Sequence, residues 1–304
     1  MLSKQGIFVR GITMTSSIRF IGTGAVAHAI ANRMEVSFNL TPALYGRDEC
    51  EVDPLPVRTP ENHQNALPRV LDERVMFMCT KSYDIAPALQ QWRSSFREDT
   101  SLIIVANGYW HERIRDQFAD LPSNVLAATT TFACKLSQSR DYFFFSNPTA
   151  GKLYAGPLRA RDRSIDIGVS WFQSEDNIDY WMRKKWLFNT VLNSLAAAND
   201  LPRNGDVLAL RDYPALFNET LALSHQLWTD SWHQISAGEL RAELDGLVQQ
   251  TAENMNSMVA DLREKRRLEI DDLSGLVRGF TAYPLLKKID EDLQSRSAMD
   301  SVPL

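Results

Sequence analysis

Along the first half of the chain, apolar residues come in short runs that end at glycine. Along the second half they recur at helical spacing. Ile18-Arg19-Phe20-Ile21 is a β-prone run closed by Gly22-Thr23-Gly24, and 25–34 follows as an alanine-rich helix with Ile30 and Met34 on one face. Leu44-Tyr45, before Gly46-Arg47, ends a second strand. Residues 74–79 and 101–105 are strongly apolar strands, the second closed by Ala106-Asn107-Gly108, with a helix over 84–96 between them. Residues 125–131 form another strand, and 142–145 and 151–156 read as later antiparallel strands. Strands alternating with helices predict βαβ units and a mainly parallel sheet.

Near residue 175 the strand pattern stops. Residues 178–198, 214–234 and 237–266 show helical periodicity, continued by 273–278 and 285–293. The division expected is a loosely ordered extension over 1–17, an α/β domain over 18–176 and an all-helical domain over 177–304. No internal repeat or long charged linker interrupts it.

Composition narrows the function classes. The chain has 304 residues, enough for two domains or one large one. A net charge of -5 argues against a nucleic-acid binder. Cys50, Cys79 and Cys134 lie far apart with no metal-ligand spacing, and an odd, sparse set suits a reducing cytoplasm. No apolar run approaches the ~18 residues of a membrane span, and no bound metal is expected.

Gly22-Thr23-Gly24-Ala25-Val26-Ala27 fits G-x-G-x-x-G/A. The first glycine allows a tight turn and the second lets backbone approach a pyrophosphate. The third position must be small for helix–strand packing, which Ala27 satisfies. The helix N-terminus adds unpaired N–H groups and a positive dipole end. After the second strand, Arg47 suits the 2′-phosphate of NADP and Asp48 keeps NAD open. A solvated surface arginine is the plainer reading of Arg47.

Lys185, Asn189 and Asn193 stand at i, i+4 and i+8 on an otherwise largely apolar helix. They share an arc of about 80° over about 12 Å of helix. A buried ammonium and two carboxamides need partners. Those partners are either a helix–helix seam, with Lys185 reaching solvent, or a small oxygen-rich ligand. Further on, 253–261 carries polar residues on a long helix, and Leu268-Glu269-Ile270-Asp271 opens the next one. Glu269 reads locally as an acid of that first turn.

Taken together, these segments resemble the ketopantoate reductase (2-dehydropantoate 2-reductase) family. The motifs are G-T-G-A-V-A at 22–27, T-K at 80–81, A-N-G at 106–108, T-T-T at 129–131, K-x-x-x-N-x-x-x-N at 185–193, S-M-x-x-D at 257–261 and E-I-D at 269–271. The resemblance implies a Rossmann-type domain followed by a helical domain, of the 6-phosphogluconate-dehydrogenase-like kind. It also implies reduction of ketopantoate with NADPH on the route to coenzyme A. Gly22, Thr23, Gly24, Ala25, Val26 and Ala27 would wrap the pyrophosphate and Arg47 would face the 2′-phosphate. Lys81, Asn107, Cys134 and Glu269 would contact cofactor.

On the substrate side, Lys185 would be the general acid, with Glu269 as a supporting catalytic carboxylate. Asn107, Asn189, Asn193 and Asn204 would contact substrate, and Ser257 would bind its carboxylate. Asn204 aligns only with one residue inserted after Pro202. Ala27, Phe132 and Leu268 depart from the family pattern, which leaves other small 2-oxo acids open as substrates. A non-catalytic NADP-binding sensor and an assembly protein whose helical half mainly supports dimerisation are the alternatives from other classes; the Trp-rich helices around Trp228 and Trp232 suit the latter, and core packing explains them as well. A homodimer is compatible with any of these.

Overall fold

The computed structural model describes residues 18–38, 43–45, 51–52, 74–115, 119–132, 134–136, 143–145, 151–229, 232 and 235–299. The strands are β1 (Arg19–Ile21), β2 (Ala43–Tyr45), β3 (Glu51–Val52), β4 (Arg74–Met78), β5 (Thr100–Val105), β6 (Asn124–Thr130), β7 (Cys134–Leu136), β8 (Phe143–Phe145), β9 (Leu153–Pro157) and β10 (Phe172–Ser174). The helices are α1 (Ala25–Phe38), α2 (Ile85–Gln91), α3 (His111–Arg115), α4 (Ile178–Ala198), α5 (Asp212–Leu227), α6 (Ala237–Gln250), α7 (Ser257–Arg263) and α8 (Pro284–Met299). None of the described helices is long and apolar enough to cross a membrane.

One eight-stranded sheet runs in the order β10-β9-β6-β5-β4-β1-β2-β3. The five strands β2, β1, β4, β5 and β6 pair in parallel, while β3 and β9 pair antiparallel to β2 and β6. The chain leaves β1 for β2 on one side and for β4 on the other. This reversal opens a crevice at the C-terminal strand ends, where open α/β sheets bind ligands.

Strand periodicity sorts the sheet residues to two faces. Phe20, Phe77, Ile103 and Leu126 pack with Ile30 and Met34 of α1. Their chain neighbours Ile21, Met78, Ile104 and Ala127 pack with Ile85 and Leu89 of α2 and with Ile178 and Met182 of α4. Both faces are covered, which is why β4 and β5 read as continuous apolar runs.

Helix α4 crosses from that second face into the helical half. From Trp186 to Ala197 it is buried against α5, α7 and α8. Trp186 meets Trp228 edge to face at 5.1 Å, and its indole N–H donates to Leu273 O at 3.1 Å. Tyr109, just after β5, inserts into this helical core beside Trp228.

Several expectations need correction. The helix expected over 214–234 ends at Leu227, where Trp228 turns to an extended conformation. The helix expected over 237–266 is two helices, because the chain turns through Thr251–Asn256 and restarts at Ser257. The main-chain amides of Asn204 and Gly205 there donate to Asn254 and Ala252, and that of Asn256 to Pro202, so the strap over 202–205 takes bonds a continuous helix would keep. The segment after Leu268 is a short 3-10 turn, Ile270–Asp272, and so is Ser274–Val277. The helix expected over 84–96 is α2 flanked by two 3-10 turns.

Candidate active site

The first wall of the site is the turn after β1. Gly22 N–H donates to Tyr45 O at 2.9 Å, and Cys79 N–H donates to Ile21 O at 2.8 Å. Gly22 has φ +112°, and a Cβ there would lie 2.3 Å from Cys79 O. No other residue fits where β4 passes so closely. Gly24 is exposed, with no protein atom within 4 Å of where its Cβ would be. Ala27 is fully buried between α1 and the sheet. The opening N–H groups of an α-helix have no partner within it, and with the open space at Gly24 this start of α1 fits a pyrophosphate. Arg47 lies outside the described residues, two positions beyond the end of β2.

The second wall is α4. Lys185 is half-buried, and its ammonium donates to Thr130 O, at the C-terminal end of β6, at 2.8 Å. One turn on, Asn189 Nδ2 donates to Asn107 Oδ1, at the end of β5, at 3.3 Å. Lys185 and Asn189 therefore face the strand ends rather than solvent. Burial lowers the Lys185 pKa, opposed by nearby Cys134 and Glu269. Burial also pushes the Cys134 thiol up to about 12, so it is uncharged near neutrality. Glu269 is then the working counter-charge, and Lys185 is a stronger acid than an ordinary lysine.

A partly buried ionic cluster lies beyond the end of β4. Lys81, three residues past β4, donates to Asp261 Oδ2 at 2.7 Å and to Glu269 Oε2 at 3.1 Å. Glu269 Oε1 accepts from Ser82 N–H at 3.1 Å, and Asp261 Oδ1 from Arg266 Nε at 2.8 Å. Burial works against the Lys81 charge, but Glu269 and Asp261 outweigh it and hold its pKa well above the usual lysine range. Beside the cluster, Gly108 has φ +85° and a Cβ there would meet Asp272 O at 2.6 Å. Tyr109 N–H donates to that oxygen at 2.7 Å, and Arg113 grips the Asp272 carboxylate with three bonds of 2.9–3.1 Å.

The far end of the α4 stripe joins a chain of carboxamides. Asn256 Nδ2 donates to Asn193 Oδ1 at 3.1 Å and to Asn204 Oδ1 at 3.0 Å. Its own oxygen caps α7 by accepting from Met258 N–H and Val259 N–H. Asn204 Nδ2 donates to Thr251 Oγ1 at 3.1 Å.

Comparison with known proteins places this geometry. The model of the family described as ketopantoate reductase PanE/ApbA matches residues 18–159, and that of its C-terminal region matches 177–279. The chain belongs to the ketopantoate reductase family. The 2-dehydropantoate 2-reductase of Shigella flexneri is 24% identical over 213 residues, 67% of this chain and 66% of that relative. The match thus spans about two thirds of the curated relative's length. A PanE/ApbA family ketopantoate reductase from Ralstonia eutropha JMP134 superposes with a TM-score of 0.72 at 17% identity, covering 94% of this chain and all of that one. D-mandelate dehydrogenase in ternary complex with NADH and anilino(oxo)acetate gives 0.73 at 16% identity over 94% and 100%. The fold is the Rossmann-type sheet with a helical C-terminal half.

Within this member of the ketopantoate reductase family, the structure brings Lys185, Asn189 and Asn107 together at the strand ends, and Lys81 with Glu269 beside them. Asn193 and Asn204 meet through Asn256. Ser257 is exposed at the first turn of α7, next to that junction. Cys134 lies on the separate β7–β8 hairpin, near enough to Lys185 for their charges to interact. Glu269 differs most from its local reading, since it belongs to no helix and both its oxygens hold the Lys81 loop. Sequence reasoning gave no role to Asp261, Asp272 or Asn256. Asp261 was visible in S-M-x-x-D, and Asn256 carried a helix-capping signature that a continuous helix hides.

Proposed function

We propose that this chain is an NADPH-dependent reductase of a small 2-oxo acid, with 2-dehydropantoate as substrate and pantoate as product. The observation that carries the reading is the Lys185 ammonium, half-buried and aimed at the end of β6. It stands one helical turn from Asn189, which meets Asn107 past the end of the neighbouring strand β5.

Nicotinamide, when bound, supplies the hydride. Gly22 to Ala27 would hold the pyrophosphate, and Arg47 the 2′-phosphate that distinguishes NADPH from NADH. Lys185 would lie against the carbonyl oxygen, stabilise the charge growing there and transfer its proton to it. Its lowered pKa favours that transfer. Thr130 O holds the ammonium in place until a substrate oxygen replaces it. Asn189 and Asn193 would orient the substrate, and Ser257 would take its carboxylate. Lys81, fixed by Glu269 and Asp261, would present the remaining positive charge to cofactor.

Measuring NADPH oxidation across a panel of 2-oxo acids, with NADH as control, tests this. The expected result is fastest turnover with 2-dehydropantoate and preference for NADPH. Arg47→Ala should weaken NADPH more than NADH. Selective turnover of an aromatic 2-oxo acid would keep the chemistry and replace the substrate. Tight NADPH binding without turnover on any acid would favour a sensor.

A further inference from the structure

We propose that Asn256 is a positioning residue: it dictates which atoms of Asn193 and Asn204 can meet a substrate. An Asn side chain can be turned either way, so its orientation has to come from partners whose roles are unambiguous. Here the backbone supplies them. The Met258 and Val259 N–H groups, at 3.1 and 3.3 Å, can only donate. The atom facing them must be Asn256 Oδ1. Asn256 Nδ2 then points the other way, toward Asn193 and Asn204, and both must show it their oxygens.

A second chain of bonds gives the same answer. Thr251 donates its hydroxyl to Leu247 O at 2.8 Å, so its oxygen accepts from Asn204, and the atom it meets is Asn204 Nδ2. Asn256 is 1% exposed and uses both donors and its acceptor oxygen within the protein. It has nothing left for a ligand. Asn193 Oδ1 is engaged by Asn256, which turns the Asn193 NH2 away from that contact. The Asn193 NH2 then presents donors at this end of α4, about 12 Å along the helix from Lys185 at the other end of the stripe, and it selects a ligand group with oxygen lone pairs at that point. The identity of that ligand rests on the reductase reading above; the orientation of the amides does not.

The decisive variant is Asn256→Asp in the full chain. Aspartate keeps the shape and the helix cap. It faces two amide oxygens with a carboxylate oxygen, so Asn193 and Asn204 must turn over. The expected result is a folded protein with unchanged NADPH affinity, kcat within about threefold and a KM for the 2-oxo acid raised about 10- to 100-fold. Asn256→Ser is the second variant should aspartate not fold. It keeps an acceptor for α7 and removes the shared donor, and at least about a fivefold rise in KM is expected.

Amide NMR of the wild-type chain supplies a readout that needs no activity. The Asn256 side-chain NH2 should exchange slowly with solvent and be absent in Asn256→Asp, where the Asn193 NH2 becomes protected instead. Wild-type KM in both folded variants overturns the proposal, as does an equal loss of kcat, KM and NADPH binding. If the wild type reduces no 2-oxo acid, the reductase reading falls. The exchange data then decide the amide orientation: slow exchange upholds it and fast exchange overturns it.

Discussion

At the scale of single residues, the site is made by burial acting on charge. Lys185 and Lys81 are both lysines near the same strand ends, yet their surroundings push them in opposite directions. Lys185 has a carbonyl as its hydrogen-bond partner and a carboxylate only at a distance, so desolvation prevails. Lys81 has two carboxylates in contact, so attraction prevails. Only Lys185 is poised to release a proton. Lys185→Ala is expected to lower kcat by about 10²–10⁴-fold, roughly 3–5 kcal/mol, with NADPH affinity retained; steady-state kinetics and cofactor titration check it. Turnover requires the protonated lysine, so activity is present below its pKa and lost as pH rises through it. Because that pKa is lowered, the alkaline limb of kcat should fall below the usual lysine range. A limb at or above that range would contradict the assignment.

At the scale of elements, the β1–α1 turn separates folding from binding. Gly22→Ala forces a side chain into the backbone of Cys79 from a left-handed φ. It should cost several kcal/mol and lower the melting temperature sharply. Gly24→Ala meets no protein atom, so it should melt near the wild-type temperature and weaken NADPH binding by about tenfold or more. Comparing Tm with cofactor affinity for the two variants checks the division of labour. This turn was legible in the sequence because its partners are close along the chain or imposed by strand pairing. The break at Thr251–Asn256 was not. Helical periodicity continues through it, and what interrupts it is the strap over 202–205, about fifty positions away.

At the scale of the whole molecule, the sheet half and the helical half are tied by polar contacts that each have one partner buried. Lys81 reaches Asp261 and Glu269, Arg113 reaches Asp272, and His111 Nε2 lies 2.9 Å from Asp179 Oδ1. Asp261 is nearly buried, while Lys81 keeps about a third of its side chain exposed, which screens the pair. Asp261→Asn should therefore destabilise the protein by about 1–3 kcal/mol, less than a fully buried pair would lose. It should also weaken NADPH binding by freeing Lys81. Urea unfolding and cofactor titration of the variant check both. An unchanged midpoint would remove this contact from the links that join the halves.

The sequence by itself determined the alternation of strands and helices, the glycine turn that opens α1, and the face of α4 that carries Lys185, Asn189 and Asn193. Each follows from local periodicity and from side chains whose geometry needs no distant partner. Tertiary structure decided what those side chains face. It turned Glu269 from a helix-terminal acid into the anchor of Lys81, and it lowered the pKa of Lys185 by covering it. It also joined Asn193 to Asn204 through Asn256. Desolvation and hydrogen-bond polarity depend on which atoms close around a group, and those atoms come from segments separated by 50 to 190 positions in the chain.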